Sequence, residues 1–445
     1  MNAQVEGAVA LEGRSPSIQE KLVNSTQPKN YVTNENYYLY KQDIERLAAM
    51  GVKYYSLSIS WSRILPVVLP GSPVNEQGIA HYNDLITAVL DAGMQPIVTL
   101  LHFDTPWLFV STDDNFTAHP EIGAYNGGYY NETFVDAYVN YAKIVLSHFA
   151  DRVPIWITFT EPYLYSFNFE GANNVVHAHA QVYHFYHDEL NATGKMAIKL
   201  NDNFGVPRNP SDADDVQAAN RFQEIQLGLF AYPIYLGQQY PDSVLSTLPG
   251  AKGLDEHDLS YIANTSDFFA IDAYTAIVVS SPPGGIDACV ADHSANNTLW
   301  PLCVNQREQN AFGWNIGYRS QTYTYITPTY LREFLNYLWN TFRHPIVVSE
   351  FGFPVFAEAE KDLADQRFDT PRSIYYLSFL SEILKAIHED GVSVVGALAW
   401  SWADNWEFGD YDQQFGMQVV NRTTRERFFK KSFFDVIDFV SARMG

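Results

Sequence analysis

Trp156-Ile157-Thr158-Phe159-Thr160-Glu161-Pro162 is a run of aromatic and β-branched residues that ends on a carboxylate and is closed by a proline. Such a run reads as a short parallel strand buried on both faces, and Pro162, which has no N–H to give a ladder, stops it. Val347-Val348-Ser349-Glu350-Phe351-Gly352-Phe353-Pro354 repeats the pattern further along. Working outward, β-rich runs occupy residues 53–60, 95–101, 154–159, 195–200, 267–274, 345–349 and 392–400. Amphipathic helical patterns alternate with them at 38–50, 80–92, 134–149, 216–238, 328–341 and 372–390, and a closing helix is predicted over 432–443. Repeated strand–helix units without a linker predict one α/β domain across residues 1–445, a (β/α)8 TIM barrel. Seven strands are visible where eight are required. Before Lys53 the candidate is residues 1–7, too short for a strand and its lead-in, so the first strand is expected to be largely missing from this chain. Two long insertions, 203–216 and 278–326, follow strand ends and are expected to shape the mouth of a pocket.

Composition narrows the partners. The 445 residues are 47% hydrophobic and 18% charged, which supports a large buried core and excludes wholesale disorder. With 28 Lys+Arg against 51 Asp+Glu the formal charge is −23, which repels nucleic-acid phosphates and anionic membranes, so a neutral or cationic small ligand is expected. No apolar run is long enough to span a bilayer, and the N-terminus lacks a basic-then-apolar signal sequence. Asn-x-Ser/Thr sites at Asn24, Asn115, Asn131, Asn191, Asn264, Asn296 and Asn421 nevertheless favour the secretory route. Cys289 and Cys303 flank a polar loop; they are read as one disulfide, or else as two buried thiols. An extracellular glycoprotein with its signal peptide absent from this chain is the expectation.

In a barrel, functional side chains sit where strands end. Glu161 and Glu350 hold that position three strands apart, and across a barrel mouth they could flank one glycosidic bond. Cleaving it requires one carboxyl to be protonated, for the leaving oxygen, and the other to be ionised, to attack the anomeric carbon or activate water. A separation of about 5 Å implies a covalent intermediate and retention, whereas roughly 6.5–9.5 Å implies inversion. After the last strand, Trp400-Ser401-Trp402-Ala403-Asp404-Asn405-Trp406-Glu407-Phe408 joins flat aromatic faces to an acceptor carboxylate, a mixture suited to the C–H faces and hydroxyl edges of a sugar. His102 ends another strand and could donate to a hydroxyl. His177, His179, His184 and His187 suggest a metal, yet on a helix His184 and His187 alone share a face, so they are read as solvated or hydrogen-bonded imidazoles. No metal site, phosphate-cradling loop or serine nucleophile turn is expected.

Together with residues 4–8, 12–18, 58–66 and 267–269, in order along the chain, these segments resemble the family 1 glycoside hydrolases, the β-glucosidase family, in a fungal-type secreted form. The resemblance implies a retaining β-glycosidase acting on neutral β-glycosides without a cofactor. Glu161 is then similar to the general acid/base, Glu350 to the nucleophile and Tyr274 to the tyrosine that hydrogen-bonds it. Gln4, His102 and Glu407 resemble the polar residues that grip the first sugar, and Trp400 its stacking platform. Glu407 also disfavours phosphorylated sugars, because a carboxylate repels phosphate. The chain departs from the family's pattern at Thr160 and Phe351, each in place of Asn, at Asp272, again in place of Asn, and at Phe408 in place of Trp. Ser56 stands where the family carries an arginine that steadies the nucleophile; losing that cation is expected to leave less carboxylate to attack. A weakened sugar-binding relative and a transglycosidase are the alternatives on the same fold. The resemblance leaves the oligomeric state open.

Overall fold

Seven strands pair in one sheet in the order of the chain: β1 (Tyr54–Ser58), β2 (Gln95–Leu101), β3 (Ile155–Thr160), β4 (Lys195–Asn201), β5 (Phe269–Asp272), β6 (Ile346–Phe351) and β7 (Val394–Ala399). Every neighbouring pair is parallel. The computed structural model describes residues 5–22, 29–107, 118–119, 124–125, 129, 133–166, 168–407 and 409–443.

Parallel neighbours need long crossovers, and helices supply them. α1 (Asn36–Ala49) precedes β1, and α2 (Glu76–Asp91), α3 (Thr133–Phe149), α4 (Phe169–His184), α5 (Ala213–Gln223), α6 (Pro328–Phe342) and α7 (Thr370–His388) lie between successive strands. α8 (Lys431–Ser441) follows β7. This is the (β/α)8 barrel architecture, carried by seven strands; among the described residues no strand precedes Tyr54.

The helix boundaries follow local chemistry. α2 starts a turn ahead of its apolar pattern, immediately after Asn75. α6 and α7 each place a proline at the start of the helix, where a missing N–H costs nothing. The helix predicted over 216–238 differs. It begins at Ala213, because the Asp212 side chain accepts a hydrogen bond from the Asp214 N–H. Beyond Gln223 it widens into π turns at Glu224–Gly228 and Tyr232–Leu236, the second containing Pro233, which cannot donate to the ladder. The insertions are more ordered than open loops. Phe204–Pro207, Ala276–Ser280 and Asn305–Arg307 form a separate three-stranded sheet, and a Cys289–Cys303 disulfide closes the polar loop beside it.

Two apolar layers hold the frame. Ile97, Ile157, Ala197, Phe268 and Ala270 form a small cluster inside the strands, while a far larger core fills the space between strands and helices, including Trp61, Trp156, Tyr138 and Tyr375. β1 and β7 end the sheet order, and Tyr54 and Val395 on them are 50% and 64% exposed. A cavity of about 380 Å³ runs through the strand interior from Tyr54 and Ser56 to Val395 and Leu398. Its walls are mainly apolar, with Lys199 and Ser349 towards the strand ends.

Candidate active site

Both glutamates follow a break in strand register. The β3–β4 pairing shifts between Ile157 and Thr160, and the β5–β6 pairing shifts between Val348 and Glu350. A register shift re-aims the side chains beyond it, and here it brings each strand-end acid to the same pocket. Glu161 adopts φ +50°, and its N–H donates to the Lys199 carbonyl at 2.8 Å. One carboxylate oxygen from each of Glu161, Asp272 and Glu350 lies within 4.8 Å of the others.

Both oxygens of Glu350 are engaged. Tyr274 Oη donates to Oε2 at 2.9 Å, and Lys199 Nζ donates to Oε1. The same ammonium lies 3.2 Å from Asp272 Oδ2, while Ser349 Oγ donates to Asp272 Oδ1 at 2.8 Å. Three carboxylates this close could ligate a metal ion, but Lys199 already brings a positive charge against two of them.

Electrostatics separates the acids. Burial, reinforced by the charges of Asp272 and Glu350, pushes Glu161 well above the carboxylate range and keeps it protonated. Burial and the Glu350 charge raise Asp272 to about 7. Burial alone would lower Lys199, yet Asp272 and Glu350 more than offset it and hold the ammonium charged. Burial, with Glu350 beside it, pushes Tyr274 well above its ordinary value, so the phenol remains a donor.

His102, Phe103, Tyr323, Trp400, Glu407, Gln413 and Phe415 complete the pocket around Glu161, Tyr274 and Glu350. His102 stacks on Trp400 with ring centroids 5.7 Å apart and planes 11° from parallel; burial pushes its imidazole well below its ordinary value, leaving it neutral. Trp400 Nε1 donates to Glu407 Oε1 at 2.9 Å, which aims that carboxylate. Gly352 lets the two segments meet: a Cβ there would lie 1.9 Å from the Trp400 carbonyl oxygen.

The other singled-out residues divide. Thr160 is fully buried, and its hydroxyl has no partner. Phe351 turns away from the pocket and packs on Tyr376 and Phe379 of α7. Ser56 lines the strand interior in the same cavity as Lys199. Gln4 and Phe408 lie outside the described residues. The histidines scatter: His179 bridges Thr158 Oγ1 and the Thr265 carbonyl, His184 meets Asp188, His187 meets Asp267, and His177 faces Asp258. Sequence reading missed Lys199, Tyr323 and Gln413. A lone lysine in the apolar run Met196-Ala197-Ile198-Lys199-Leu200 was a usable signal, because an unpaired buried ammonium is too costly to keep.

An acid kept neutral and a second carboxyl held by a cation, facing one pocket at the C-terminal ends of barrel strands, are the parts of a glycosidase. Comparison with known proteins agrees, and the chain belongs to Glycosyl hydrolase family 1, which it matches over residues 2–442. Beta-glucosidase 1B of Phanerodontia chrysosporium is 32% identical, over 96% of this chain and 81% of that protein. Beta-glucosidase 34 of Oryza sativa subsp. japonica is 31% identical, over 96% and 88%. The crystal structure of a GH1 beta-glucosidase from the fungus Humicola insolens in complex with glucose superposes with a TM-score of 0.88 at 27% identity, covering 99% of this chain and 96% of that one.

Proposed function

We propose that the protein is a retaining β-glucosidase that acts on neutral β-glycosides through a covalent glycosyl-enzyme. The observation that carries this reading is the approach of Glu161 and Glu350 to within 4.8 Å in one pocket, in environments that keep the first protonated and hold the second by a cation. A Glu350 oxygen attacks the anomeric carbon as the bond to the aglycone oxygen breaks, and the Glu161 proton passes to that oxygen. Water then gives a proton to the Glu161 carboxylate, its oxygen joins the anomeric carbon, and Glu350 leaves as a carboxylate. Trp400 and His102 offer flat surfaces to the sugar, and Glu407 an acceptor for its hydroxyls.

An aryl β-glucoside assay with azide tests the roles. Wild type turns over. Glu161→Ala loses about 10²–10⁴-fold and with azide yields the β-glucosyl azide. Glu350→Ala loses turnover and with azide yields the α-anomer. A folded wild type no faster than Glu350→Ala would leave a sugar-binding relative in place of the enzyme.

The Cys289–Cys303 disulfide and the exposed sites Asn191, Asn264 and Asn296 further support passage through the secretory route. Protein from a secreting eukaryotic host should lose mass on endoglycosidase treatment; an unchanged mass at all sites would refute this.

A further inference from the structure

Ser56 leaves β1 without the cation the family pattern places there, yet the carboxylates of the pocket are not left unbalanced. Lys199 enters from β4, three strands along the sheet from β1, and lines the same interior cavity. Its side chain is 5% exposed, and its ammonium touches both Glu350 Oε1 and Asp272 Oδ2. Among the described residues it is the cation paired with either carboxylate. Its backbone is also engaged, since the Lys199 carbonyl accepts the Glu161 N–H and Lys199 pairs in register with Thr160. One residue thus orients the acid through its main chain and the nucleophile through its side chain.

We propose that Lys199 is a positioning residue for catalysis, whose ammonium clamps Glu350 between itself and the Tyr274 hydroxyl and takes over, from the fourth strand, the duty left vacant at Ser56. The charge count supports it. With Glu161 protonated, Asp272 and Glu350 set two negative charges against the one ammonium above about pH 7, and below it, where Asp272 is neutral, the ammonium faces the Glu350 carboxylate alone. Without Lys199, two carboxylates would face each other in a buried site, and one would take up a proton. Glu350 would then spend more of its time as a neutral acid that cannot attack. Asp272 belongs to the same device, because it pulls the ammonium to the junction of the two strands.

This inference rests on the reading of Glu350 as the nucleophile, and its test separates the two. In Lys199→Met, kcat falls with little change in KM, and the acidic limb of the kcat/KM profile moves to higher pH by roughly one to three units. Lys199→Arg keeps the limb near its wild-type place. In the Lys199→Met background, Ser56→Arg moves it back, because the new cation enters the same cavity. An acidic limb unmoved in folded Lys199→Met overturns the proposal, as does failure of both arginine variants to hold or restore it. Lys199→Gln serves in the same way if the methionine variant does not fold. The carboxyl titration of the full chain, followed by ¹³C NMR on labelled glutamate, reads the same shift without turnover. An inactive wild type would therefore sink the glucosidase reading, while the titration would still decide on Lys199.

Discussion

Glu161 and Glu350 are chemically identical, and in the proposed reaction what divides their labour is what surrounds each one. Glu161 faces burial and two neighbouring carboxylates, all of which favour its neutral form; Glu350 faces an ammonium and a phenol that favour its charge. This division has a cost in stability with a definite sign. A carboxyl that keeps its proton in the folded state but loses it in the unfolded chain destabilises the fold as pH rises above the ordinary carboxylate range. Glu161→Gln removes that term, so its melting temperature at pH 7 should exceed that of wild type, while below about pH 4 the two converge. The same variant should lose the basic limb of the kcat/KM profile, since no proton remains to be titrated. A variant less stable than wild type at pH 7, or one with its basic limb intact, would contradict the assignment. At this scale the sequence was largely readable, because a charged residue closing an apolar run stands out. Phe351 was not, because its side chain is committed to the helix layer by the register shift before Glu350, and no local pattern announces that shift.

At the scale of elements, the site depends on the segments that follow β6 and β7 being held together. Gly352 allows their backbones to touch, and behind them Arg372 near the start of α7 is fully buried against Glu358 and Asp369. Its guanidinium donates to Glu358 Oε1 at 3.0 Å, to Asp369 Oδ2 at 2.6 Å and to the Phe353 carbonyl at 2.9 Å. Lys430, just before α8, pairs with Glu358 at 3.3 Å and Asp404 at 3.0 Å, so one network joins the loop after β6, α7, the tryptophan-rich run and α8. Arg372→Met leaves two acids short of their partner and should cost roughly 3–5 kcal/mol in chemical unfolding. A loss under about 0.5 kcal/mol would mean that the remaining partners, Lys430 for Glu358 and Ser432 for Asp369, balance them. Apart from Asp369–Arg372, three residues apart at the start of α7, these pairings are not visible in the order of residues, since the partners come from four separate segments.

Across the whole molecule, the formal charge of −23 gives an overall negative field, while the strand ends collect a few acids and cations into a pocket small enough for their fields to act on one another. Seven of the strand runs, their parallel order and the two terminal glutamates were legible because buried parallel strands and amphipathic helices write themselves as local hydrophobic patterns. The extent of the second small sheet, the π turns after α5 and the aim of each strand-end side chain depended on contacts between distant segments. So did the identity of the balancing cation. The amino-acid sequence by itself determined a barrel of alternating strands and helices with an acid at the end of each of two strands, because periodicity and composition act over a few neighbouring residues. Only the tertiary structure decided that Lys199, remote in sequence from Glu350 and Asp272, stands between them, because charge compensation acts through space and takes whichever strand can deliver it.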